Sequence, residues 1–245
     1  MRKNIYKLIN IISVKNPLLL KALRFGVAAG IEHKNALRTI KCSTIVDIGA
    51  NRGQFALVAR HCFPKSKIIS FEPLSLPAKQ FALVLGDEPG ILLHQVAVGS
   101  QRNKSIIHIS GKDDSSSLLP ISSLQDRLFP GTAEIETEMV NIAPLSDYIT
   151  GREIIPPALL KIDVQGFELE VLQGSEILLE KFQYIYVECS FVELYSGQAF
   201  ADEVIAWLRE RGFRFQGLYN EVYDKKGRAI QGDFLFQKDP FKILS

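Results

Sequence analysis

The sequence predicts an α/β fold, a doubly wound and mostly parallel sheet closed by an antiparallel hairpin, and three observations carry that reading. The stretch Thr44-Ile-Val-Asp47 reads as a buried strand, followed after a glycine turn by the helical run Gln54-Phe-Ala-Leu-Val-Ala-Arg-His61. Two strand-helix-strand crossovers then follow in succession, which with the usual right-handed connection build half of such a sheet. Three strands, ending at Asp47, Glu72 and Asp163, each finish in a carboxylate. Parallel strands bring their tips to one crevice, where open α/β sheets bind ligands.

The first turn indicates what that ligand is. Gly49 and Gly53 let backbone approach a ligand closely and expose amide N–H groups at a helix N-terminus. A dinucleotide fingerprint needs a second glycine two positions after the first, and Asn51 stands there. A carboxylate such as Asp47 repels phosphate and attracts an ammonium or sulfonium group. An adenosyl compound with an amino-acid tail and a positive sulfur therefore suits the turn better than NAD; a tight turn with no ligand is the plain alternative. Glu72 ends the strand Lys67 to Phe71 about 20 residues beyond Gly53, the spacing that sets an acid against ribose hydroxyls. Pro73 stops that strand.

These segments together resemble the FkbM family of S-adenosylmethionine-dependent methyltransferases. The resemblance rests on Asp47-Ile-Gly-Ala-Asn-Arg-Gly-Gln-Phe55, Phe71-Glu-Pro73, Asp114-Ser-Ser-Ser-Leu118 and Leu160-Lys-Ile-Asp-Val-Gln-Gly-Phe-Glu168, in that order over residues 40 to 237. It implies a class I methyltransferase (Rossmann-like) fold with seven strands and O-methylation of a hydroxyl on a sugar, glycan or natural product. It also implies S-adenosyl-L-methionine as cofactor, bound by Asp47, Gly49, Ala50, Asn51 and Gly53 of the first turn and by Glu72 and Pro73. Ala97, at the end of the third strand, is expected near the adenine, and Ser116 in the serine-rich loop beside the cofactor.

Composition limits the rivals. The 245 residues suffice for one α/β domain, here residues 42–245 with an insertion at about 99–157. A net charge of +2 makes no demand for nucleic acid. Cys42, Cys62 and Cys189 are odd in number and lack Cys-x-x-Cys spacing, which suggests neither a disulfide framework nor zinc and points to a reducing cytoplasm. Residues 1–41 form a basic segment in which Ile5, Leu8, Ile9 and Ile12 recur at helical spacing. Such a helix packs on the domain or rests on the inner face of an anionic membrane. Its apolar run is too short to span one.

Further along, Leu76 to Leu85 reads as a helix and Ile91 to Val98 as one strand, with His94 a core or face residue. Lys104 to Ile109 and Glu136 to Ile142 alternate as an inserted antiparallel pair carrying a polar loop. Leu159 to Asp163 is a strand with Lys161 embedded in it, followed by a helix over Phe167 to Leu179. Tyr184 to Cys189 is the next strand, and Asp202 is placed to cap a helix reaching Arg211. Phe213 to Leu218 and Asp233 to Phe236 form the closing hairpin.

Transfer to a hydroxyl requires a base within hydrogen-bond reach of the acceptor. Asp163 or Glu168 is expected to fill that role, Glu188 next, with Lys161 as orienting partner. Phe191 to Gln198 is a candidate acceptor loop, in which Phe191 and Tyr195 either stack on a sugar or fill the core. The four histidines are dispersed, and no metal is expected. An NAD-linked reductase and a non-catalytic binding module of the same fold are the competing readings.

Overall fold

The computed structural model describes residues 16–239. The amphipathic helix expected around Ile5 to Ile12 lies outside them. The chain between Asn16 and the first strand packs on the α/β core. Asn16 caps the helix Pro17–Arg24 by accepting from the Leu18 amide at 2.9 Å. Leu19, Ala22, Val27 and Leu37 are buried among Phe55, Leu57 and Val58 of the helix Gln54–Cys62. Among the described residues, no helix is long and apolar enough to cross a membrane.

Ten strands follow: β1 (Thr44–Ile48), β2 (Lys67–Phe71), β3 (Ile91–His94), β4 (Ala97–Val98), β5 (Asn103–Ser110), β6 (Glu134–Ala143), β7 (Ala158–Ile162), β8 (Tyr184–Ser190), β9 (Phe213–Tyr223) and β10 (Ala229–Lys238). Seven of them form the main sheet in the order β3-β2-β1-β7-β8-β10-β9. Strands β1, β2, β3, β7 and β8 are parallel, and β10 enters antiparallel between β8 and β9. Chain order runs outward from β1 through β2 to β3, then restarts on its other side at β7. The carboxyl ends of β1 and β7 thus flank the reversal at which such sheets bind ligands.

Every residue of β1 is buried, as a central strand covered on both faces requires. Val46 and Ile48 point into one apolar layer with Ile69, Phe71, Leu160 and Val187, whereas Ile45 joins Ile68, Leu159 and Tyr186 in the other.

Three elements depart from expectation. The strand expected over 91–98 divides: Val96 N turns back to His94 O, and Ala97–Val98 leaves the main sheet to pair in parallel with Ile142–Ala143. With the expected antiparallel pair β5 and β6 it makes a second, three-stranded sheet. The helix after β7 covers only Glu168–Gly174 and continues as a 3₁₀ turn, Glu176–Lys181. Ser175 Oγ donates to Val171 O at 2.8 Å there, and Gly174 lies so close to the chain that an added Cβ would sit 2.2 Å from Gly99 O. The helix Ala201–Glu210 starts after Phe200, whose amide donates to Glu203 Oε2 at 2.8 Å, so Glu203 rather than Asp202 closes its first turn.

Gly174→Ala is expected to lower unfolding stability in urea by about 1–3 kcal/mol, the usual cost of forcing an extra methyl into packed surroundings. Gly197→Ala, at a positive φ but with open space around it, separates backbone strain from that clash.

Candidate active site

The turn after β1 is shaped by what crosses it. Gly49 has φ +77°, and a Cβ there would lie 1.8 Å from Asp163 O, so the backbones leaving β1 and β7 meet at a distance that no side chain permits. Gly53, at φ +91°, opens the helix Gln54–Cys62, but its hydrogen side faces Leu85 and Phe81. Its smallness serves helix packing rather than ligand approach. Between the two glycines, Asn51 takes φ +47° and its amide donates to Glu72 Oε2 at 2.8 Å. The Leu74 amide donates to the other oxygen, Oε1, at 2.8 Å. Glu72 is thereby fixed at the tip of β2 with its carboxylate lining a hollow of about 220 Å³. Burial pushes its pKa up to about 7, the two amides opposing the rise without cancelling it.

Phe71, Pro73, Val96, Ala97 and Leu118 give this hollow an apolar wall, and Gly49, Ala50, Asn51 and Ser116 line it as well. His33, Lys161 and Asp163 also belong to its lining. Lys161 is nearly fully buried inside β7, its Nζ 3.3 Å from Asp47 Oδ1 and 3.6 Å from Asp163 Oδ2, and it donates to Gly49 O at 3.2 Å. Burial alone would lower the ammonium, but Asp47 and Asp163 hold it above its ordinary value. The strand tips converge as the sequence suggests, with one correction. Asp47 does not open on the hollow: it is fully buried beneath it, paired with Lys161, so the protein's own ammonium answers the first carboxylate.

A second hollow, of about 360 Å³, adjoins the first. Asp163, Gln165, Asp114, Glu32 and His33 line both. Gln165, in the left-handed region at φ +58°, donates through Nε2 to Asp163 Oδ1 at 2.8 Å and to Glu188 Oε2 at 2.7 Å. Gln231 Nε2 donates to the other Glu188 oxygen at 2.7 Å. Burial and the nearby Asp163 hold Glu188 well above the usual carboxylate range.

Glu168 lines neither hollow. Its carboxylate accepts from the Gly166 amide at 2.9 Å and the Val164 amide at 3.3 Å, bracing the turn after β7, and burial pushes its pKa up to about 7. Tyr195 is also interior, its hydroxyl donating to Gln165 Oε1 at 2.7 Å; Phe191 lies half out of the core against Phe234.

The serine-rich loop folds onto this site. Arg52 Nε donates to Asp113 Oδ2 at 2.6 Å, and Ser117 Oγ donates to Gln165 O at 2.6 Å. Sequence reasoning missed Gln165, which joins the hollows, and His33. Gln165 stands within the quoted run Leu160 to Glu168, but its reach to Glu188 and Tyr195 has no local signal, and His33 is placed by contacts with residues distant in the chain.

A glycine turn against the reversal of a parallel sheet, a strand-end carboxylate in an apolar-walled hollow, and β10 inserted antiparallel before β9 define a class I methyltransferase domain. The chain belongs to the FkbM methyltransferase family, whose domain, described as "Methyltransferase FkbM domain", matches residues 47–215. It is 30% identical over 165 residues to the 2-O-methyltransferase NoeI of Sinorhizobium fredii, covering 63% of this chain and 66% of that protein. It is 27% identical over 197 residues to the methyltransferase sdnD of Sordaria araneosa (69% and 73%) and 26% identical over 193 residues to the 31-O-demethyl-FK506 methyltransferase FkbM of Streptomyces tacrolimicus (69% and 72%). Among solved structures, an rRNA methylase from Streptococcus thermophilus covers 85% of this chain and 94% of its own at 12% identity, with a TM-score of 0.48.

The family is one of S-adenosylmethionine-dependent enzymes, and the first hollow fits that cofactor. Its lining has the chemistry such a group needs: carboxylate oxygens of Glu72 and Asp163 able to face hydroxyl or cationic groups, and an apolar wall of Phe71, Val96 and Ala97 able to face a base. The NAD-linked reductase gains nothing from these relatives.

Lys161→Met strands Asp47 as a buried, unpaired carboxylate and is expected to cost about 3–5 kcal/mol of stability. The double replacement Asp47→Asn with Lys161→Met, which removes both charges, is expected to recover much of that loss in a urea titration.

Proposed function

We propose that the chain transfers the methyl of S-adenosylmethionine to a hydroxyl of a sugar, glycan or natural product. The observation that carries this reading is the pair of adjoining hollows sharing Asp163 and Gln165: one fits the cofactor, and the other has room and polar lining for a hydroxylated acceptor. The printed names of two relatives, a 2-O-methyltransferase and a 31-O-demethyl-FK506 methyltransferase, support oxygen as the acceptor atom.

The cofactor supplies a methyl group already activated by positive sulfur. The protein's work is then chiefly alignment, which supplies a large part of the barrier reduction in reactions of this kind. Glu72 holds the ribose diol. Gly49 brings backbone close to the cofactor tail, while Lys161 keeps the Asp47 and Asp163 tips fixed. Asp163, tied to Glu188 through Gln165, lies where the donor hollow meets the acceptor hollow, so that it orients both partners. Glu188 and Gln231 present an acceptor-side wall whose hydrogen bonds suit hydroxyl groups.

The free protein should lose stability as pH rises from about 4.5 towards 7, because Glu72 and Glu168, raised from 4.5 to about 7, bind protons more tightly folded than unfolded. Cofactor binding should show the opposite trend. Ribose hydroxyls are donors, so the ionised Glu72 binds them better, and calorimetric affinity for S-adenosylmethionine should rise with pH and level off above about 7. Glu72→Gln should weaken binding by about tenfold and flatten that dependence, since a hydrogen bond to a charged group contributes about 1.5–3 kcal/mol; unchanged affinity would remove Glu72 from the ribose.

Transfer of labelled methyl from the donor to a panel of glycosides and to an extract of the source cells tests the reaction itself. Tight donor binding without any methylated product would favour a binding module over an enzyme.

A further inference from the structure

His33 stands in the wall common to both hollows, although it precedes β1 by more than ten residues and lies outside the segment that matches the family. Contacts on several sides fix its ring. Nδ1 lies 3.3 Å from Asp233 Oδ2, 3.2 Å from the Tyr186 hydroxyl and 3.3 Å from Asn220 Nδ2, an amide that donates to Asp233 Oδ2 at the shorter distance of 2.7 Å. The ring meets Phe55 edge-on at 5.3 Å and Tyr186 edge-on at 5.7 Å between centroids. Its Cδ2 corner faces Gly30, where an added Cβ would come within 2.9 Å. With Nδ1 turned to Asp233 and Cδ2 to Gly30, the corners that remain are Cε1 and Nε2, and Nε2 makes no hydrogen bond among the described residues.

Asp233 is built to set that orientation. It lies on β10, almost wholly buried, and Oδ2 also accepts from Asn220 Nδ2 at 2.7 Å and from the Tyr186 hydroxyl at 2.9 Å. Burial alone would raise its pKa, but the donors His33, Asn220 and Tyr186 hold it below its ordinary value, so it faces Nδ1 as a carboxylate. A carboxylate at Nδ1 places the proton on that nitrogen and leaves Nε2 with its lone pair.

We infer that His33 is the base that removes the acceptor's hydroxyl proton, with Asp233 as its positioning residue, an assignment resting on the O-methyl transfer proposed above. The acceptor oxygen bonds to the methyl carbon, the carbon–sulfur bond breaks with its electron pair left on sulfur, and the hydroxyl proton passes to Nε2. The carboxylates nearby are worse placed. Glu188 has both oxygens engaged by amide donors, Glu168 faces neither hollow, and Asp163 accepts from Gln165 and is paired with the Lys161 ammonium. Imidazole is the side chain that is both uncharged and basic near neutral pH. The charged and titratable groups around the ring are Asp233 on β10, Tyr186 on β8, Asp47 on β1, Lys161 and Asp163 on and just after β7, Asp114 of the loop, and the adjacent Glu32.

Two readouts test the assignment. In ¹⁵N spectra of the labelled protein with S-adenosylhomocysteine bound, the His33 signals, assigned by their loss in His33→Gln, are expected to show the neutral Nδ1–H form, and Asp233→Asn is expected to mix the tautomers. An Nε2–H ring in the unaltered protein would overturn the proposal. In methyl transfer to methyl glycosides of hexoses, and to an extract of the source cells, His33→Gln should lower kcat by about 10²–10⁴-fold. It should also abolish the acidic limb of the kcat/KM profile while leaving calorimetric donor affinity within about threefold, and imidazole should partly rescue His33→Ala. Asp233→Asn should shift that limb. A His33→Gln enzyme that keeps its rate and its pH profile would overturn the base assignment while leaving O-methyl transfer intact; a wild-type protein that binds donor and methylates nothing would overturn both.

Discussion

Everything at the crevice depends on one ion pair that a ligand never needs to touch. Lys161 extends from the interior of β7 to Asp47 on β1 and reaches the Gly49 carbonyl in the next turn. β1 and β7 are neighbours whose registers set Asp47 directly beside Lys161. The pair therefore bonds the two strands across the reversal of the sheet. An ammonium buried this deeply is tolerated because carboxylates face it, and they in turn are tolerated because it is there. The two backbones can then approach so closely that only glycine fits at position 49.

From that anchor the site grows outward through amides rather than through further charges. Glu72 is held by the Asn51 and Leu74 amides, Glu168 by those of Gly166 and Val164, and Glu188 by the side chains of Gln165 and Gln231. Donors that carry no net charge let several carboxyl groups share a confined region without a cation for each. Gln165 has the largest role among them, since its one side chain contacts Asp163, Glu188 and Tyr195. Its positive φ is the local strain that lets the turn after β7 point this group back over the strand tips.

The main sheet and the strand tips that meet at the crevice were legible in the sequence, and the reason is locality. Asp47, Gly49 and Glu72 belong to strand-turn-helix units whose geometry is set within about ten residues, so pattern and spacing specify them. The expectation that gathered carboxylates call for a cationic ligand missed Lys161's part: the lysine was visible in its strand, but its charge partner depends on the register between β1 and β7. The break of the third strand after His94 and of the helix after Gly174 was likewise invisible, since both follow from packing against Ile142 and Gly99. His33 and Asp233 are 200 residues apart in sequence and join through the far hairpin, a relation that no window of residues contains.

The two hollows share one wall and differ in the rest of their lining. The tips of β1, β2 and β7, interior strands of the main sheet, line the first hollow together with residues 113–118, whereas the second takes more of its wall from segments 112–132 and 220–233, a loop within the small sheet and an edge hairpin. Elements of the second kind change length and composition with little consequence for the core. The outer wall of the second hollow can accordingly be rebuilt while the buried strand tips of the first stay as they are. In this architecture a new specificity is a change of upholstery on an unaltered frame.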